Sequence, residues 1–76
     1  MSEKEGILGM QSSHRWAVYR PGCEPVEITS GEPFRVEVDR KLQVRRMEYD
    51  HGGRGYYAVG VPELRSGMRA ALGAGE

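Results

Sequence analysis

The strictest pattern in the chain is Phe34-Arg35-Val36-Glu37-Val38, where apolar and charged residues alternate. A period of two predicts a strand that turns Phe34, Val36 and Val38 to one face and leaves Arg35 and Glu37 in water. After Asp39-Arg40 the alternation resumes at Leu42 and Val44, so the two segments read as a hairpin with Leu42 and Val44 continuing the apolar face. Asp-Arg is not a favoured pair for a tight turn that needs positive φ, which leaves a longer loop open. Beyond Val44 the pattern breaks at Arg45-Arg46, and Met47 and Tyr49 take the opposite phase. A bulge, or a strand crossing from one sheet layer to another, accounts for such a break.

The aromatic and β-branched run at residues 56–61 fits a half-buried pleated surface and predicts a second hairpin with residues 47–49 across Gly52-Gly53-Arg54-Gly55. Upstream, residues 6–10, 15–19 and 26–28 are shorter strand candidates, with Trp16 and Val18 directed to the core. Residues 62–72 are ambiguous. Pro62-Glu63 resembles a helix start, yet Gly67 would interrupt the helix, so a loop or one helical turn followed by a closing strand at 68–72 is expected. Turn formers such as Ser12-Ser13, Pro21-Gly22, Ser30-Gly31 and Asp50-His51 divide the chain into segments too short for independent helices. The expected fold is all-β: a small antiparallel SH3-like barrel or strongly bent sheet of about six short strands with little helix. Closure of that kind also protects exposed strand edges.

Composition narrows the picture. A chain of 76 residues supports one core and hence one domain, ordered over about residues 6–72, with residues 1–5 and 73–76 expected to fray. Eleven basic and eleven acidic residues cancel, which removes the global field that drives non-specific binding to DNA or an anionic membrane. Only Lys4 and Lys41 of the basic residues are lysines. The single Cys23 cannot form an internal disulfide, so a reducing, cytoplasmic setting is expected. The acidic amino terminus fits no secretory or transit signal, and no run approaches the roughly 20 apolar residues of a membrane helix.

Three stretches, Gly31-Glu32-Pro33-Phe34-Arg35-Val36-Glu37-Val38, Val44-Arg45-Arg46-Met47-Glu48 and Gly55-Tyr56-Tyr57-Ala58-Val59-Gly60, resemble a small bacterial domain-of-unknown-function family. The likeness extends from Gly6 to Leu72 and rests on a Gly-initiated strand, an Arg-Met-Glu step and an aromatic final strand ending in Gly. Where that family has an Asp-Gly turn followed by Trp, this chain has Asp39-Arg40-Lys41-Leu42. The resemblance implies a compact all-β bacterial domain, often encoded near mobile elements, with no assigned activity and no catalytic residues to carry over.

Candidate chemistry is sparse. A thiol nucleophile at Cys23 would need His14 or His51 as a base, but Cys23 lies in a loop without the helix N-terminus that usually activates a thiol. His14, Cys23, Asp50 and His51 lack the short paired spacings of a metal site, and no cofactor motif is present. Gly52-Gly53-Arg54-Gly55 matches the G-x-x-G of an RNA-clamping loop, but its neighbours read as strands rather than helices. Glu48, between Met47 and Tyr49, is a candidate for an inward-facing ion pair with an arginine. The densest feature is basic: Arg35, Arg40, Lys41, Arg45, Arg46 and Arg54, interleaved with Tyr49, Tyr56 and Tyr57. From it, Arg35, Arg45, Arg46, Arg54, Tyr49 and Tyr56 form the candidate binding surface. Glu37, Asp39, Glu48 and Asp50 lie in the same region, so cross-strand neutralisation competes with that reading. The leading expectation is a non-enzymatic module binding a protein or peptide. Nucleic-acid binding through the Arg/Tyr face comes second, and a thiol-dependent regulator or small enzyme using Cys23 third. Exposed tyrosines and a thin core leave a homodimer open.

Overall fold

The computed structural model describes residues 5–74. Seven strands, β1 (Glu5–Met10), β2 (Trp16–Tyr19), β3 (Val26–Glu27), β4 (Pro33–Val38), β5 (Lys41–Asp50), β6 (Gly55–Ala58) and β7 (Arg69–Leu72), pair in the order β3-β2-β1-β7-β4-β5-β6. Every pairing is antiparallel. The sheet is therefore two three-stranded meanders, β1-β2-β3 and β4-β5-β6, joined by β7, which lies between β1 and β4. It curls strongly into a half-barrel with β3 and β6 as its edges. No helix occurs among the described residues, and Pro62 to Met68 is loop and turn rather than a helical turn.

The β4–β5 hairpin has the tight turn that its sequence disfavours. Asp39 and Arg40 both adopt positive φ, +54° and +67°, and Val38 pairs directly with Lys41. This is the left-handed two-residue turn whose twist matches that of its flanking strands. Its register corrects the expected faces. Phe34 pairs with Arg45 and Val36 with Gln43, while Leu42 and Val44 oppose Glu37 and Arg35. Directly opposed residues share a face, so Leu42 and Val44 lie on the convex side, and Val44 is 47% exposed. Met47 is then in phase with Lys41, Gln43 and Arg45, so the apparent break at Arg45-Arg46 needs no bulge.

β5 instead changes partner. Up to Arg46 it pairs with β4, and from Met47 onward with β6. At the changeover the Met47 N–H donates to the Glu32 carbonyl (3.0 Å) and its carbonyl accepts from the Gly31 N–H (2.6 Å). Val59 N–H donates to the Arg46 carbonyl (3.0 Å). The backbone groups released by one ladder are thus taken up by the next.

One apolar interior fills the concave side. Leu8, Trp16, Val18, Phe34, Val36, Met47, Ala58 and Ala70 come from the strands, Ile28 and Val61 from the segments just after β3 and β6. Each large side chain fully buried here contributes about 1.5–3 kcal/mol. The second hairpin is shorter than expected, since β6 ends at Ala58 and Val59-Gly60 turn away with Gly60 at φ +83°. Glu5 pairs with Ala71, and Gly73 accepts a hydrogen bond from Arg35, so these two positions, expected to fray, are held. The rest of that expectation, for residues 1–4 and 75–76, lies outside the described residues. No helix is long and apolar enough to cross a membrane among the described residues.

Candidate functional site

The β5–β6 hairpin builds one wall of the site. Its turn is closed by Asp50, whose Oδ1 accepts the Gly52 N–H at 2.8 Å, and by Gly53 and Gly55 at φ +108° and +78°, a conformation that favours glycine. The register sets Tyr49 opposite Tyr56. Their rings are 4.8 Å apart and tilted by 59°, and the His51 ring meets Tyr49 edge-on at 4.8 Å. Arg15 from the β1–β2 turn lies over the Tyr56 ring at 5.8 Å. On the other face of the hairpin Arg54 stacks over Tyr57 at 4.5 Å. Its Nη2 donates to the carbonyls of Val61 (3.2 Å) and Pro62 (2.9 Å), which fastens the loop after β6.

The six residues singled out from sequence do not form one surface. Arg35 projects from the convex face, and its Nη2 and Nε donate to the carbonyls of Leu72 (2.7 Å) and Gly73 (3.4 Å). Arg45 shares the concave face with Phe34, its guanidinium bonded to the Val44 carbonyl and Gln43 Oε1. Arg46 pairs with Glu48 at 2.6 Å. Glu48 opposes Tyr57, on the side away from Met47, so its ion pair is on the outer face and not the inward one expected. Tyr49 and Tyr56 pack together on one face of the β5–β6 hairpin and Arg54 lies on the other, while Tyr56 and Arg54 both line the cleft beside it.

The hairpin faces a cleft of about 490 Å³ at the open seam of the half-barrel. Met10, His14 and Trp16 from the β1–β2 hairpin form the opposite wall, and Pro62, Glu63 and Leu64 close one end. The Trp16 indole N–H donates across the seam to the Tyr56 carbonyl at 3.3 Å, and Trp16 is 7% exposed. Met10, Trp16, Pro62, Glu63 and Leu64 were not expected at a site, and His14 was weighed only as a base or metal ligand. Met10, His14 and Trp16 are far from residues 53–57 in sequence, and the curl of the sheet brings them near.

Charges in the cleft are unequal. Glu63 is paired with Arg65 (3.3 Å), and Arg15 behind the Tyr56 ring is paired with Glu27 (3.2 Å). Arg54 has two carbonyls and a ring as partners, and no carboxylate among the described residues. Pro62 and Glu63 also border a second, shallower groove of about 690 Å³, where Glu37 and Asp39 from the β4–β5 hairpin face Arg65 and Met68. Cys23 is exposed in a turn closed by its own N–H to the Arg20 carbonyl (3.2 Å). No group of three or more His, Cys, Asp or Glu residues that could hold a metal ion occurs among the described residues. Compared with protein-family models, curated proteins and solved structures, the chain finds no match.

Proposed function

We propose that this chain is a non-enzymatic interaction module that takes a protein or peptide segment into the seam cleft. The observation that carries the reading is the cleft itself, where the apolar side chains of Met10, Trp16, Tyr56 and Leu64 lie beside the charged groups of Arg54 and Glu63. Its volume of about 490 Å³ lies within the range of ligand-binding pockets and suits a few residues of extended chain. Aromatic-lined grooves of this kind hold extended peptides by side-chain packing rather than by chemistry.

Nucleic acid fits less well. Base stacking needs uncovered ring faces, whereas Arg54 covers Tyr57, Arg15 lies over Tyr56, and Tyr49 packs against both Tyr56 and His51.

The test is selection of binders from a displayed library of random octapeptides, followed by amide-shift mapping on the labelled protein. Shifts at Met10, Trp16, Tyr56 and Leu64 are the expected result, and Met10→Ser should weaken binding several-fold. Met10 is 43% exposed, so this change leaves the core intact. Shifts confined to the convex face around Ile7 and Val44 would defeat the reading.

A further inference from the structure

We infer that the segment accepted by the seam cleft carries a carboxylate next to a bulky apolar side chain, and that Arg54 reads the carboxylate. This rests on the peptide-binding reading above and adds the chemistry of the partner.

Three observations lead to it. First, the charged side chains lining the cleft are not equivalent, because Glu63 has Arg65 as a counter-ion at 3.3 Å while Arg54 has no acidic partner among the described residues. A cleft in which apolar side chains adjoin a guanidinium that has no carboxylate among the described residues favours a ligand that supplies an anion beside an apolar group. Second, Arg54 is fixed before any ligand arrives. The Tyr57 ring beneath it and the Val61 and Pro62 carbonyls hold the guanidinium in place, so little side-chain freedom is left to lose on binding. Its Nε and Nη1 have no protein partner among the described residues and can donate to a carboxylate. Third, the groove on the far side of Pro62 and Glu63 carries Glu37 and Asp39 against Arg65, whose charge is already shared with Glu63, so its balance is acidic. An acidic segment is repelled from that groove and attracted to the seam, so the two charge patterns select one docking site.

A nucleic acid would present its anions in a regular row, and among the described residues this cleft offers one cation without a carboxylate partner rather than several. A peptide with a single Asp, Glu or terminal carboxylate beside Leu, Phe or Trp matches it.

The experiment uses the whole chain and a phage-displayed library of random octapeptides, selected in parallel on wild type, Arg54→Gln and Arg54→Lys. Gln keeps an amide donor for the Pro62 carbonyl without the charge, and Lys keeps the charge without the fork. Dispersed amide spectra verify that each variant is folded. The expected result is enrichment of an acidic residue beside an apolar one on wild type. A synthetic peptide of the selected sequence should bind Arg54→Gln about tenfold more weakly, with Arg54→Lys between the two. Peptides that map to the cleft without an acidic preference, or that bind wild type and Arg54→Gln equally, overturn the assignment of Arg54 and leave the peptide-binding reading standing. Failure to enrich any octapeptide removes that reading as well. Salt-sensitive binding of oligodeoxythymidylate in the absence of any peptide binding would overturn both in favour of nucleic acid.

Discussion

Gly9 on β1 and Tyr19 on β2 occupy the same space: a Cβ added at Gly9 would lie 2.6 Å from Cε1 of the Tyr19 ring. The ring lies across the bare backbone of Gly9 and beside its cross-strand partner Ala17, which is completely buried although it lies on the convex face. An aromatic ring covering a strand glycine in this way recovers packing that the missing side chain cannot supply. Gly9→Ala should therefore destabilise the protein by about 1 kcal/mol by pushing the ring off. The same change in a Tyr19→Ala background should be neutral or stabilising, because alanine suits a strand interior better than glycine. A double-mutant cycle by urea unfolding measures the coupling, and simple additivity would contradict it. Gly6→Ala should be the more damaging substitution, since its Cβ would meet the Tyr19 carbonyl oxygen and the Arg20 side chain, and a backbone oxygen cannot swing aside.

The turn at Asp39-Arg40 carries strain that glycine would release. Arg40 sits at φ +67°, where a residue with a Cβ is disfavoured by about 1–2 kcal/mol. Arg40→Gly should raise stability by roughly 0.5–1 kcal/mol after the added freedom of the unfolded chain is deducted. A rise in melting temperature with unchanged amide shifts in β4 and β5 is the expected result.

Arg35 is predicted to matter for stability and not for binding. Its guanidinium satisfies the carbonyls of Leu72 and Gly73 where β7 ends. Arg35→Met keeps the stem but leaves those acceptors to water, at a cost of about 1–2 kcal/mol. Peptide affinity at the seam should stay within a factor of two of wild type, and hydrogen exchange in residues 69–73 should accelerate.

The register of β5 can be tested by paired substitutions. Val44→Thr on the convex face should change stability by less than about 0.5 kcal/mol. Val36→Ala, at a fully buried position of β4, should cost about 2 kcal/mol. If Val44 faced the core as its sequence context suggests, the two substitutions would have comparable effects.

That misplacement marks the limit of what pattern alone can tell. Phe34, Val36 and Val38 are legible because hydrophobicity and face agree, and Trp16 and Val18 are core residues as expected. Leu42 and Val44 mislead because a hairpin's register is set by its turn, and this turn is two residues long in spite of its Asp-Arg sequence. Polar residues with long stems, Gln43 and Arg45, then occupy the concave side, and the Arg45 side chain reaches over Gly60. The hairpin Tyr49–Tyr56 was visible as composition. The seam cleft was not, because Met10 and Trp16 face Tyr56 and Leu64 only through the curvature of the whole sheet, a property that no local window of sequence encodes.

The position of β7 has a consequence for biosynthesis. Residues 69–72 are the thread by which the two meanders are sewn together, so on a growing chain β1 and β4 must wait with raw flanks until β7 emerges. Partners so distant along the chain find each other slowly. A ribosome that stalls before residue 69 would release two incomplete sheets, each with a naked strand ready to pair with its neighbour on the next polysome.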